Sequence, residues 1–461
     1  MNLSVHINIK AFYSKTAVLI CLLTMVMTSA NIKKWKSPTQ LISNDIISYY
    51  GYLPATFIYH DLTLKFMEHP PADYRGIFWP GTAPNGGKVM KFSMGMAILY
   101  LPFFTLGHLA AGIIGEIQDG YSPAYCFFLI LGTVFYVTLG LILLRLILLR
   151  YFSDEATALT ILSVFLGTNL LQYSTDDPLM SHAYLFTLNI CLLYFVMEWH
   201  KIPSWKNSIW LGCIAGLVIL VRPSDIVSLL IFFLYGIYSL KTLNEKFNLL
   251  RRNFLKLVLM GACILVVFFP QMLYWKWNSG DWLYYSYGNE GFYFSNPHII
   301  DGLFSYRKGW LLYAPVMSFS LLGLLLLNRY VKEMTFSLLV FVIINIWIIT
   351  SWWSWWYGGS FGNRPFIDSY GLLAFPLAGF YSFFMDKSRL KSFVITGVVL
   401  LLIFHQIFQT FQYRYQAIHY DSMTKEAYWK SFLKLRPPQG FFELLKEPDY
   451  ENAVKGLPEH N

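Results

Sequence analysis

Tyr125-Cys126-Phe127-Phe128-Leu129-Ile130 opens a run that continues as LGTVFYVTLGLILLRLILLR to residue 150, and its only charges are Arg145 and Arg150. A helix perpendicular to a bilayer crosses the hydrocarbon core with about 20 apolar residues. This run is long enough to span a membrane, and its arginines mark one end. Outward from it, further apolar stretches fall at 16–31, 93–114, 156–173, 179–199, 208–222, 226–240, 255–276, 309–327, 335–351, 369–385 and 392–410. Of the 461 residues, 56% are hydrophobic and 13% charged. A soluble domain carries roughly 25% charged residues, so too few polar side chains remain to cover a water-facing surface. The fold class is therefore an all-α polytopic membrane protein.

The net charge of +9 does not point to nucleic acid, because the Lys and Arg residues lie in short loops between apolar runs and form no stripe or arm. Basic loops here report orientation. The five cysteines, Cys21, Cys126, Cys191, Cys213 and Cys263, each lie inside an apolar stretch with no CxxC pair. They read as small buried hydrophobes without a disulfide or thiolate metal site. The ten histidines show no HExxH-like spacing, so no metal site is expected from them.

Lys201 and Lys206, then Lys241, Lys246, Arg251, Arg252 and Lys256, then Arg329 and Lys332, then Lys387, Arg389 and Lys391 mark alternate loops as cytoplasmic. Counting back from Lys201 places Arg145 and Arg150 inside and 174–178 outside. Lys10 and Lys15 precede the first stretch, where Thr28-Ser29-Ala30 also resembles a cleavage site. Either reading delivers the chain from Asn31 outside. Only two crossings then fit between residues 32 and 174, so 93–114, with Pro102 and His108, is expected to dip in or lie at the interface without crossing. The expectation is about 11 transmembrane helices, N-terminus inside and C-terminus outside. Residues 1–410 form the multi-spanning domain with a first external loop over 32–92, and 411–461 form a short polar external tail.

The candidate chemistry gathers in the external segments. Ser43-Asn44-Asp45-Ile46-Ile47-Ser48-Tyr49-Tyr50 sets an acid before an aromatic, amphipathic stretch. A helix lying along the surface would hold the carboxylate there, able to deprotonate a hydroxyl nucleophile. On residue type alone, Asp45 equally suits a helix N-cap. Tyr49 and Tyr50 follow as candidate substrate contacts. Asp176-Asp177 opens the next helix, where carboxylates also favour the dipole, and His182 lies a turn later at the membrane boundary, where an ionisable group is costly. These three are further candidate contacts, with a satisfied core histidine as the rival reading of His182. Arg222, Arg307, Lys308 and Arg364 are candidate phosphate ligands, since a guanidinium fork matches phosphate oxygens. Each also suits snorkelling to the interface. Arg364 escapes that rival best, because Gly358-Gly359-Ser360-Phe361-Gly362 before it lets backbone approach a ligand; Asp368 closes that motif as another candidate contact. Trp352-Trp353-Ser354-Trp355-Trp356-Tyr357 reads first as an interfacial aromatic belt and second as a platform for a sugar ring.

Together these loops resemble the GT-C superfamily: multi-spanning glycosyltransferases that use lipid-phosphate sugars, such as protein O-mannosyltransferases and the aminoarabinose transferases of lipid A. The resemblance rests on Asp45 in the first external loop, Lys91-Phe92-Ser93-Met94-Gly95 entering the next apolar stretch, Asp176 and Asp177, and the Arg-bearing loops. Ser181-His182-Ala183-Tyr184 and Trp355-Trp356-Tyr357-Gly358-Gly359-Ser360-Phe361-Gly362-Asn363-Arg364-Pro365 look like a bacterial branch. One departure is that many members carry an acidic pair where this chain has Asn44-Asp45-Ile46. The resemblance implies a GT-C-like fold and an inverting transfer at the non-cytoplasmic face, with Asp45 as base and a polyprenyl phosphate leaving group held by arginine. It implies a polyprenyl-phosphate-linked sugar as donor, a glycan, lipid or protein as acceptor, and membrane lipid as surroundings. A divalent cation is compatible but not required. The implied location is the bacterial inner membrane with the site facing the periplasm. A transporter or flippase of lipid-linked saccharides and a non-catalytic lipid-binding relative are the alternatives. Sugar, lipid length and acceptor depend on pocket shape rather than on short motifs.

Overall fold

The structure, a computed structural model, describes residues 11–69 and 78–457. Lys10, residues 70–77 of the first loop and the last four residues of the tail lie outside the described residues. Among those described, six helices are long and apolar enough to cross a membrane: Phe12–Lys36, Gly95–Ile114, Pro123–Leu148, Phe254–Ser279, Lys332–Ser351 and Arg389–Arg414. With the low charge of the chain they make it an integral membrane protein.

Six side-chain contacts define one end of the bundle. Helices α1 (Phe12–Ile32), α2 (Asp45–Tyr50), α3 (Gly95–Ile114), α4 (Pro123–Leu148) and α5 (Asp154–Leu166) come first in the chain. Arg145 near the end of α4 donates to Ser14 Oγ at 2.8 Å and to the Ala11 carbonyl at 3.2 Å. Asp154 at the start of α5 accepts from the backbone N–H groups of Tyr13 and Ser14 at 2.8 and 3.0 Å, satisfying donors that a helix start leaves orphaned. Arg150 and Lys201 meet Glu198 at the end of α6 (Ser181–Lys201), 2.8 and 3.0 Å away. This basic end holds the loops that the charge pattern groups together.

The other end is where the site lies. It receives the end of α1, the start of α6 and the end of α7 (Trp205–Val221). Helix α7 packs along α9 (Phe254–Ser279), which follows the amphipathic α8 (Leu240–Arg252). A Cβ at Gly212 would lie 2.6 Å from the Met260 carbonyl, so glycine there permits the close approach typical of membrane helices. The last three long elements are α10 (Lys332–Ser351), α11 (Tyr370–Met385) and α12 (Arg389–Arg414).

Three details differ from the sequence expectation. The stretch 156–173 is broken after Leu166, because the Asn169 side chain turns to donate to the Phe361 carbonyl at 3.1 Å and accept from the Tyr370 hydroxyl at 2.7 Å. The stretch 226–240 is a 3₁₀ turn over Pro223–Leu229 followed by a single helical turn or so, Leu230–Leu234. The last helix runs to Arg414, and the tail beyond it is packed: Tyr293 donates to the Val454 carbonyl at 2.5 Å, and the Tyr450 ring meets that of Trp356 at 5.4 Å.

Helix α3 is long enough to cross by length and composition, yet both its ends lie beside site-end elements. Ser93, just before it, donates to the Leu220 carbonyl, and Met94 N–H donates to Gln271 Oε1 at 2.7 Å. Near its other end, His108 meets Tyr125 of the α4 start at 2.5 Å. Tyr136 donates to the Leu99 carbonyl at 3.1 Å, so α3 runs antiparallel to the first half of α4.

Candidate active site

At the site end lies a cavity of about 530 Å³, within the size range of small-molecule sites. Its wall includes Asp45, Lys91, His182, Arg222, Glu290 and Arg364, with aromatic rings between them. Asp45 is the first residue of α2. The N-cap position falls to Asn44, whose side chain makes no capping bond, so the capping reading of Asp45 does not hold and its carboxylate is free for a partner. Asn44 has φ 55° and ψ −128°, a conformation costly for a non-glycine residue and common beside functional groups.

That partner is Arg364, whose Nη2 donates to Asp45 Oδ2 at 2.9 Å across 319 residues of sequence. Arg364 opens a 3₁₀ turn over Arg364–Ser369. Before it, Gly362 has φ 60° and a Cβ there would meet Tyr313 Cβ at 3.0 Å, which fixes the loop against the protein and aims Arg364 at the cavity. Its Nε is buried without a hydrogen-bond partner. A buried orphan donor of this kind costs about 1–3 kcal/mol unless something binds it. Burial works to lower the Arg364 pKa, but the neighbouring Asp45 carboxylate and nearby tyrosines raise it overall, so the guanidinium stays charged.

Arg222 caps the end of α7. Its Nε donates to Ser224 Oγ at 3.0 Å and its Nη1 to Asp368 Oδ2 at 2.9 Å, with the Tyr357 ring 5.4 Å from Cζ. The other carboxylate oxygen, Asp368 Oδ1, lies 2.8 Å from His182 Nδ1. Asp368 is 4% exposed and sits behind the cavity wall, gripping two residues that form it. Burial pushes its carboxyl up to about 7 although Arg222 pulls it down. Tyr49 lines the cavity, stacks on Phe92 at 4.5 Å, and has its hydroxyl pushed up to about 12 by burial.

The structure separates several other candidates from the cavity. Asp176 accepts two bonds from Arg414, both at 2.8 Å, and Asp177 pairs with Lys34 at 3.2 Å and Gln172 at 3.1 Å. Neither lines the cavity; they tie the ends of α12 and α1 to the turn before α6. Tyr50 is buried among Tyr100, Phe104 and Tyr121 and donates to the Gly120 carbonyl, a core position. Arg307 lies against the Trp356 ring at 5.4 Å. Lys308 is 1% exposed and donates to the Ser360 and Tyr420 carbonyls, and burial holds its ammonium well below the usual range. It ties the glycine-rich loop to the tail and cannot reach a phosphate in the cavity. The aromatic belt reading also fails for Trp355 and Trp356, which are buried, while Trp352 and Trp353 line the cavity.

Glu290 went unnoticed in the sequence. It pairs with Lys91 at 2.5 Å, and the Lys91 ammonium lies 5.6 Å from the Tyr287 ring. A lone Glu in a polar loop carries no local signal, whereas Lys91 was visible in its motif. Among the described residues no three His, Cys, Asp or Glu side chains gather as metal ligands. The carboxylates of the wall are each matched by a cation of the protein, Arg364 for Asp45 and Lys91 for Glu290. This donor set does not fit a divalent cation, which requires several oxygen ligands on one ion.

No protein-family profile matches the chain, and no curated protein matches it in sequence. Among solved structures it is similar to the archaeal oligosaccharyltransferase AglB from Archaeoglobus fulgidus, in complex with an inhibitory peptide and a dolichol-phosphate. The TM-score is 0.49 at 13% identity, over 95% of this chain and 62% of that one. The chain thus spans under two thirds of that protein's length. At this identity and overlap the likeness settles neither family nor activity, and the chemistry of the site rests on the cavity residues themselves.

Proposed function

We propose that the protein is a GT-C-type glycosyltransferase that moves a sugar from a polyprenyl-phosphate donor to an acceptor hydroxyl at the non-cytoplasmic face, with inversion at the anomeric carbon. The observation that carries this reading is the Asp45–Arg364 pair on the wall of one aromatic cavity, with Arg222 on the same wall. The part-exposed Arg364 guanidinium and the Nη2 of Arg222, which has no protein partner among the described residues, supply donors for a phosphate. Asp45 keeps Oδ1 for the proton of the incoming hydroxyl. Aromatic rings suit the faces of a sugar and the first isoprene units of a lipid tail.

The same reading threads the chain through the inner membrane of a bacterium in 11 crossings, with α3 lying at the interface of the site end without crossing. The acceptor is a glycan, a lipid or a protein. Transport of a lipid-linked saccharide would need charged groups along a path between the two ends; the ionisable residues of this cavity gather at one end, which favours a surface reaction. The test is incubation of vesicles containing the protein with radiolabelled sugars on polyprenyl phosphate. The expected result is release of the polyprenyl phosphate together with label in an acceptor fraction. Donor that crosses the bilayer intact would replace this reading with the transport one.

A further inference from the structure

At the cavity wall, the His182–Asp368 pair is left without a role by a reaction that uses only Asp45 and the two arginines. His182 lines the cavity, and its Nδ1 is held by Asp368 at 2.8 Å, both side chains being 5% exposed. The ring edge-packs on Tyr173 at 5.7 Å between centroids, so its orientation is fixed from two sides. Its Nε2 has no protein partner among the described residues. A histidine oriented through one nitrogen by a carboxylate, with the other nitrogen open to a cavity, is the arrangement by which proteins hold an imidazole ready for proton transfer.

We propose that His182, backed by Asp368, is the general acid of the transfer reaction, giving its Nε2 proton to the departing phosphate; this rests on the glycosyltransferase reading. The assignment to the leaving group comes from Arg222, which shares the Asp368 carboxylate with His182 at 2.9 Å and so places a phosphate ligand beside it. The second ionisation of a phosphate monoester lies near 6, close to the Asp368 carboxyl at about 7, so a proton relayed between them through His182 is nearly matched in energy. The acceptor oxygen forms the new bond to the anomeric carbon and its proton passes to Asp45. The old carbon–oxygen bond breaks with its electron pair on the phosphate oxygen, which takes the proton from His182 Nε2. The proton of the Asp368 carboxyl moves to Nδ1, so the ring stays neutral and the negative charge appears on Asp368, beside Arg222. Burial, which raises the Asp368 carboxyl to about 7, lets it hold that proton beforehand. Two acidic positions with different surroundings then divide the work: the partly exposed Asp45 receives a proton, and the buried Asp368 supplies one through His182. The charged groups around the imidazole, besides Asp368, are Arg222, Arg364 and Asp45.

The test uses the full-length protein in detergent and has two readouts. Diethyl pyrocarbonate acylates accessible neutral imidazoles, and peptide mass spectrometry is expected to find His182 among them. Undecaprenyl phosphate at ten times its Kd leaves roughly one site in eleven free, hence about tenfold protection of His182. Labelling unchanged by undecaprenyl phosphate, or an unlabelled His182 while the exposed His60 reacts, overturns the proposal. In the transfer assay, His182→Gln is expected to lower kcat about 100-fold with little change in donor KM, and to remove the alkaline limb of the pH profile. Asp368→Asn, close in shape, is expected to lose the same limb with a smaller drop in kcat. An alkaline limb that survives in both variants makes the group a structural brace for Arg222 and overturns the proposal. A wild-type protein that transfers no sugar sinks the glycosyltransferase reading instead, while the protection readout still decides whether a phosphate seats against His182.

Discussion

Two carboxylate–guanidinium pairs stand at the same end of the bundle and differ in one respect. Asp176 is held by Arg414 through two bonds of 2.8 Å, a closed fork that faces no cavity. Asp45 is held by Arg364 through a single bond of 2.9 Å, on the cavity wall, with Arg364 Nε left unpartnered. The first pair has its strongest donors and acceptors matched and reads as a fastening between α12 and the turn before α6. The second is part-exposed at both side chains on the cavity wall, so Asp45 and the guanidinium keep hydrogen-bonding capacity that a ligand can reach. Residue type is the same in both, so the open valence and not the presence of Asp and Arg separates a site from a staple.

The largest expected effect breaks the comparison at its acids. Asp45→Asn is expected to lower sugar transfer about 1,000-fold, within the range for loss of a general base, at unchanged membrane insertion. Asp176→Asn should leave transfer within about threefold, since general acid–base loss is not involved. Next come the arginines. Arg364→Ala is expected to cost about 100-fold in kcat/KM, about 2.7 kcal/mol, seen as a loss of donor dependence. Arg414→Ala is expected to act on stability, because it strands a carboxylate that is 12% exposed at the side chain, a change that costs up to about 3–5 kcal/mol at buried pairs. Thermal unfolding in detergent separates the two outcomes.

A smaller effect sharpens the role of Asp368. Its folded carboxyl lies near 7, above the unfolded value of about 3.9. Between those values the folded protein binds more protons than the unfolded chain, so stability falls as pH rises from about 4 to about 7. Asp368→Asn is expected to flatten that fall, with a change of about 2 °C or more in Tm across the window. Equal pH slopes in the two proteins would show that Asp368 titrates normally. The smallest perturbation is a topology reporter: fusions after residue 92 and near residue 118 should lie on one side of the membrane and a fusion near 153 on the other. Opposite sides for 92 and 118 would mean that α3 crosses.

Much of the fold was legible because lipid imposes a simple rule, long apolar runs with basic loops on alternate sides. Both candidates of the Asp45–Arg364 pair could be picked out, Asp45 from its aromatic stretch and Arg364 from the glycines before it. Their union could not be read, since nothing local encodes a contact across 319 residues. Lys308 and Asp176 were misassigned for the opposite reason: their types suit a ligand, and only packing reveals that the protein itself occupies them. Composition marks the tail as a short polar end, and its packing is invisible there because contacts such as Tyr293 with Val454 join residues 161 apart. Glu290 was missed because its partner Lys91 lies 199 residues away.

The most direct measurement is an experimental structure of the protein with a polyprenyl-phosphate sugar bound. The account predicts the phosphate within hydrogen-bond distance of the Arg364 and Arg222 guanidinium groups, with the anomeric carbon turned toward Asp45. A phosphate seated outside this cavity, or beside Arg307 and Lys308, would contradict it.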